Sequence, residues 1–278
     1  MGSTVPGDRF ELSRRLGEGA FGVVYEAYDR KRRERMALKQ LRATDSAALR
    51  RFKNEFRALA GVTHPNLIRL GELIGAEDSW FFTMELIEGT DLLAHVRPTA
   101  GGFRGGFDEA RLRDAFGQLA EGISALHSHG MIHRDLKPSN VLVGPRERVV
   151  VLDFGLVSSL GPEETSRSIT MAGTPAYMSP EQLDGLPVSP ASDWYGVGVM
   201  LFEALTGRVP FQGSLYQMIV ARRESEPPAP RQVADGVPED LDALCRALLR
   251  PDPSARPDGD EILERLRGSV GPQWDRAP

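Results

Sequence analysis

His133-Arg134-Asp135-Leu136-Lys137-Pro138-Ser139-Asn140 is the stretch from which the rest of the chain is read. It sets a carboxylate, an amine and an amide close together on a loop that Pro138 stiffens. Asp135 can accept, or position, the proton of an incoming hydroxyl. Lys137 can neutralise charge on a moving phosphoryl group. Asn140 offers a hard oxygen suited to Mg²⁺. Just downstream, Val149-Val150-Val151-Leu152 is a short apolar run that reads as a buried strand, and it ends at Asp153-Phe154-Gly155. A carboxylate at a strand end, followed by glycine, suits a metal ligand. A metal bridging β- and γ-phosphates offsets charge that positioning alone cannot.

Upstream, Gly17-Glu18-Gly19-Ala20-Phe21-Gly22-Val23-Val24 spells G-x-G-x-x-G-x-V. Dinucleotide-binding folds share the glycine spacing, but they continue into a helix. Here residues 23–28 alternate like a strand, which describes a glycine hairpin able to lie over phosphates. Glycines at such a place let backbone approach phosphate with no Cβ in the way. Lys39 follows Ala37 and Leu38 on a strand pattern, where a point charge with three donors suits α- and β-phosphates. Glu55 neighbours the helical face of Phe52, Phe56 and Leu59 and is the candidate partner for Lys39. Taken singly, these features also fit a plain hairpin turn, a snorkelling lysine and a solvated helix glutamate.

Strand patterns cover residues 10–17, 22–29, 34–41, 67–75 and 80–86. They are interrupted by one helix that Asp45 or Ser46 can cap and that stops at Gly61. Helical patterns follow over 109–129, 190–207, 214–223, 238–250 and 258–267. Strand-rich then helix-rich order predicts an α+β fold in two lobes. The expected boundaries are a tail over 1–9, an N-lobe over 10–86, a C-lobe over 87–268, and a tail or linker over 269–278 leading to further domains. The net charge of −5, from 34 basic and 39 acidic residues, argues against a protein that coats nucleic acid. The single cysteine, Cys245, lies in an apolar-periodic stretch and reads as a buried structural thiol. Such sparse cysteine usage fits a reducing cytoplasm. No apolar run is long enough for a membrane segment.

In this order, the blocks quoted above resemble the eukaryotic-type protein kinase family, with the likeness running from about residue 10 to 266. The resemblance implies the two-lobed protein kinase fold, with ATP as phosphoryl donor, Mg²⁺ or Mn²⁺ as cofactor and a protein as substrate. It implies that Lys39 and Glu55 form an ion pair, that Asp135 is the catalytic base, and that Asn140 and Asp153 hold the metal. Leu16, Gly17, Gly19 and Gly22 would cover the nucleotide. Val24, Ala37 and Leu142 would sandwich the adenine ring. Met84 resembles the residue that guards the adenine pocket, and Glu85 to Ile87 the hinge beside it.

Further implications concern support, acceptor and control. Glu181, in Ser179-Pro180-Glu181 where the family usually shows Ala-Pro-Glu, would pair with Arg256. Asp193 would brace the catalytic loop. Lys137, two residues after Asp135, points to serine and threonine acceptors. Gly173-Thr174-Pro175 resembles the segment that meets the residue after the acceptor, and Thr174 would bond Asp135 and Lys137. Arg134 resembles the arginine that binds an activation-loop phosphate. Thr170 is the first candidate phosphosite and Ser168 the second, modified between copies, so a second copy of the chain is an expected partner. The likeness is closest to bacterial Ser/Thr kinases, whose domain is often the N-terminal part of a longer sensor or regulator. The alternative is a pseudokinase, an ATP-binding scaffold module of a larger signalling protein. Against it, none of Lys39, Glu55, Asp135, Asn140 or Asp153 is missing.

Overall fold

The alternating, glycine-bounded N-terminal residues pair as antiparallel strands: β1 (Phe10–Gly19), β2 (Gly22–Asp29) and β3 (Glu34–Leu41). The structure is a computed structural model that describes residues 7–19, 22–41, 46–76, 79–98, 106–153 and 174–267. The described residues fall into two compact units, one drawn from 1–88 and 152–172, the other from 89–151 and 173–278.

In the first unit, β4 (Leu70–Ala76) and β5 (Ser79–Met84) complete a sheet in the order β1-β2-β3-β5-β4. Gly19 pairs with Gly22 at the hairpin end, and register slips near Leu12/Arg14 and Arg15/Gly17 bend β1. An added Cβ at Gly22 would sit 1.9 Å from the Gln40 carbonyl oxygen, so the sheet itself demands glycine there. Helix α1 (Ser46–Ala60) buries Phe52, Phe56 and Leu59, which recur on one face at helical spacing. Phe52 and Phe56 meet Phe82 of β5 with ring centroids 6.0 and 5.5 Å away. Phe10, Ala27, Met36, Leu38 and Phe81 form a separate apolar cluster in the sheet.

The second unit opens with a short strand, β6 (Thr90–Asp91), and a short helix, α2 (Leu92–Val96), which Asp91 caps. Helix α3 (Glu109–Ser128) starts at the Asp108 cap and buries Leu112, Phe116, Leu119, Ile123 and Leu126. The catalytic-type loop follows, then β7 (Val141–Val143) and β8 (Val149–Val151), which join β6 in a three-stranded sheet. Helices α4 (Pro180–Leu183), α5 (Pro190–Thr206), α6 (Leu215–Glu224), α7 (Pro230–Val233), α8 (Glu239–Leu248) and α9 (Gly259–Arg267) complete it. Helix α5 is buried without interruption from Ser192 to Phe202 and ends at Gly207 in the left-handed region. Gly198 lets α8 approach, because a Cβ there would lie 2.7 Å from the Leu248 side chain. Cys245 is fully buried, and burial raises its thiol pKa, which makes it the inert structural thiol expected. Among the described residues no helix is long and apolar enough to cross a membrane.

Candidate active site

In the first unit, the β2–β3 register places Val24 opposite Lys39, and the β3–β5 register places Ala37 opposite Met84 and Lys39 opposite Phe82. Directly paired residues share a face, so Val24, Ala37, Lys39 and Met84 line one side of the sheet. Lys39 is buried, and its Nζ lies 2.6 Å from Asp153 Oδ1. Asp153 stands two residues beyond β8 with φ 51°, a left-handed backbone that a non-glycine residue rarely adopts. Glu55 lies on α1, but its side chain falls outside the described residues, so the expected Lys39–Glu55 pair does too. Phe154, Gly155, Ser168 and Thr170 also fall outside them. Leu16 is 38% exposed on β1. A Cβ on Gly17 would meet nothing within 4 Å. The sheet therefore leaves Gly17 free for a ligand to approach, in contrast with Gly22. Glu85 is tied to Arg69, its N–H donating to the Arg69 carbonyl at 3.0 Å and its carboxylate accepting the Arg69 N–H at 2.9 Å. Ile87 is half-buried three residues beyond the end of β5.

In the second unit, Asp135 is the focus of short polar contacts. Lys137 Nζ donates to its Oδ2 at 2.7 Å. Asn140 Nδ2 donates to the same oxygen at 3.1 Å and to the Asp135 carbonyl at 2.7 Å. The 3-10 turn Pro138–Asn140 makes this possible by returning Asn140 toward Asp135. With its nitrogen so engaged, the amide leaves Oδ1 as the hard donor. Leu142, on β7, pairs with Asp91 and Val150.

The loop that carries Asp135 is fixed from helix α5. Asp193 Oδ2 accepts the His133 N–H at 2.8 Å and Asp193 Oδ1 accepts the Arg134 N–H at 2.8 Å. His127 Nε2 donates to Asp193 Oδ2, also at 2.8 Å. Arg134 takes φ 69°, and its carbonyl accepts from Gln182 Nε2 at 2.7 Å. Glu181 and Arg256 meet in two hydrogen bonds of 2.7 and 2.9 Å, and Ser192 Oγ donates to Glu181 at 2.6 Å. Burial favours a protonated Glu181, but the Arg256 and Ser192 hydrogen bonds outweigh it and hold its pKa at about 2.

Two residues that sequence reasoning passed over border the same loop. Tyr177, which ends the 3-10 turn Thr174–Tyr177, and Met178, which follows it, line a small cavity with Arg134, Asp135 and Asp193. Tyr177 Oη donates to Glu203 Oε2 at 2.6 Å, and burial raises both pKa values. The Thr174 side chain lies outside the described residues, as therefore does its expected bond to Asp135 and Lys137. Gln182 reads in sequence as the third residue of a capping box begun by Ser179, a role it also fills. Nothing in that pattern signals its second bond to Arg134.

The first unit thus carries a buried lysine beside a strand-end carboxylate, and the second a braced aspartate–lysine–asparagine loop. Residues 10–266 match the family described as protein kinase domain. The chain is 32% identical to the serine/threonine-protein kinase PkaA of Streptomyces coelicolor, over 94% of this chain and 50% of that protein. It is 30% identical to PrkC of Bacillus subtilis, over 95% of this chain and 40% of that protein. It is also 30% identical to PknA of Mycobacterium tuberculosis, over 100% of this chain and 66% of that protein. The chain belongs to the protein kinase domain family. It spans between 40% and 66% of the length of these three relatives.

Proposed function

We propose that the protein transfers the γ-phosphate of ATP to serine and threonine hydroxyls of other proteins and to its own activation loop. The observation that carries this reading is the Asp135 carboxylate, held at 2.7 Å by Lys137 and at 3.1 Å by Asn140. Asp135 accepts the proton of the acceptor hydroxyl as its oxygen attacks phosphorus, and ADP leaves with the electrons of the broken P–O bond. Lys137 offsets charge on the phosphoryl group in transit. Lys39, paired with Glu55 in the assembled site, holds the α- and β-phosphates. Leu16, Gly17, Gly19 and Gly22 cover the nucleotide, while Val24, Ala37, Met84, Leu142 and the Glu85 to Ile87 segment take the adenine. Asn140 Oδ1 and Asp153 are hard oxygen donors that fit Mg²⁺ or Mn²⁺. When bound, such an ion neutralises charge on the β- and γ-phosphates.

The loop site is Thr170, with Ser168 second, modified between two copies of the chain. A phosphate there adds about −1.5 to −2 charge, which Arg134 can receive. The setting is the cytoplasmic part of a longer signalling protein. Purified protein given labelled ATP, magnesium and a generic protein acceptor tests the reading. Phosphoserine and phosphothreonine on the acceptor, and mass-mapped phosphate at Thr170, are expected. ATP binding with no transfer would mark a pseudokinase, and active protein with Thr170 always bare would remove the loop switch.

A further inference from the structure

A buried cation that the phosphoryl chemistry does not use holds the turn that walls the Asp135 cavity. Arg222, on α6, is 6% exposed. Its Nη1 donates to the Pro175 carbonyl at 2.8 Å and to the Met178 carbonyl at 3.0 Å, and its Nη2 donates to the Ala176 carbonyl. Its Nε is buried with no hydrogen-bond partner among the described residues. Among the described residues no carboxylate pairs with it, and the faces of Tyr195 and Phe211 lie 6.0 and 5.7 Å from the guanidinium carbon. Burial accordingly lowers the Arg222 pKa, with only Tyr195 opposing it.

Stripping water from a charge is costly, and among the described residues no carboxylate offsets that cost for this one. Packing alone therefore does not explain an arginine here. Its gain is geometric: one rigid fork gathers three carbonyls of a single short turn. That turn is not remote from the chemistry. Tyr177 and Met178 share the cavity with Asp135. Gly196 of α5 backs both sides, since a Cβ there would lie 3.2 Å from Leu136 and 3.6 Å from the Tyr177 carbonyl oxygen.

We propose that Arg222 is a positioning residue for the protein acceptor, setting the 174–178 turn in the shape against which the acceptor segment is laid beside Asp135. The inference rests on the kinase reading above. Without the fork the turn relaxes, acceptor binding weakens, and nucleotide binding is untouched. Lysine at this position is a poor substitute, because a point charge does not span three carbonyls as a planar fork does.

The test compares wild type, Arg222→Met and Arg222→Lys in the 278-residue chain. It measures thermal midpoint, KM for an acceptor peptide, KM for ATP, and ATP hydrolysis without acceptor. Arg222→Met keeps the apolar stem and removes the buried charge. Its thermal midpoint is expected to fall somewhat, because three turn carbonyls lose their donor, while acceptor KM rises at least about five-fold. ATP KM and acceptor-free hydrolysis are expected to stay within about two-fold of wild type. Arg222→Lys is expected to fall between the two, and carries the same test if Arg222→Met does not fold. Unchanged acceptor KM overturns the proposal, as does a parallel loss of thermal midpoint, acceptor KM and ATP KM, which would make Arg222 a packing residue. Wild type that transfers no phosphate would instead overturn the kinase reading.

Discussion

Asp193 accepts the backbone N–H of Arg134 at 2.8 Å, and Arg134 is held there at φ 69°. A non-glycine residue in this region costs about 1–3 kcal/mol and persists only where its surroundings over-determine it. Asp193 takes the N–H side and Gln182 the carbonyl side, at 2.7 Å. The next residue is Asp135, so the strained unit aims its carboxylate. Asp193→Asn replaces one acceptor oxygen by a donor and sets it against backbone N–H groups. We expect kcat to fall about 100-fold, by analogy with other displaced catalytic groups, with a smaller change in ATP KM. Steady-state kinetics check this, and urea unfolding should show a loss of about 1–3 kcal/mol.

The Glu181–Arg256 pair predicts an acid-dependent stability. Glu181 has a folded pKa of about 2 against its ordinary 4.5. A depressed carboxyl contributes stability that is fully present above the ordinary value and is lost as pH falls from 4.5 toward 2. Glu181→Gln should lose about 3–5 kcal/mol at neutral pH, because it strands a buried guanidinium. It should also lack this part of the acid slope. Denaturant unfolding between neutral and acid pH measures both.

Gly17 and Gly22 should separate ligand effects from fold effects. Gly22→Ala drives a Cβ to 1.9 Å from the Gln40 carbonyl oxygen and should lower the thermal midpoint. Gly17→Ala adds a methyl where nothing stands within 4 Å, so the thermal midpoint should hold. If nucleotide lies against Gly17, ATP KM rises in the Gly17→Ala variant. Calorimetry and ATP titration distinguish these outcomes.

Lys39→Met should abolish turnover with little cost to the fold. Its partner Asp153 keeps 32% of its side chain exposed, so water can take over the lost contact. Methionine also removes the buried Lys39 charge, whose desolvation cost offsets part of the lost contact, so the net change should stay within about 1 kcal/mol. Meanwhile kcat should fall by orders of magnitude. Thermal unfolding beside single-turnover transfer gives the comparison.

Legibility followed period length and burial geometry. Strands at Gly22–Asp29 and Glu34–Leu41 were readable because alternation ran between turn signals. Helix α5 was readable as an apolar run between Pro190 and Gly207. By contrast, β6, β7 and α2 hold two, three and five residues, too few to show any period. The carboxylates and amides of the loop declared themselves by spacing. Arg222 did not: beside Arg223 it reads as one of a pair of surface charges, and only the tertiary placement of α6 against the 174–178 turn buries it. Gln182 was hidden by a local role that fully accounts for it. The pairing of Lys39 with Asp153 joins residues 114 positions apart, which no local pattern reveals.

The most direct measurement is phosphoryl transfer by Asp135→Asn beside wild type, at saturating ATP and acceptor. The substitution keeps the side chain's shape and its place beside Lys137 and Asn140, and removes the proton acceptor. We expect kcat to fall by about 10²–10⁴-fold, the usual range for a lost general base, while ATP affinity and thermal midpoint remain near wild type. An Asp135→Asn protein that transfers phosphate at the wild-type rate would contradict this expectation.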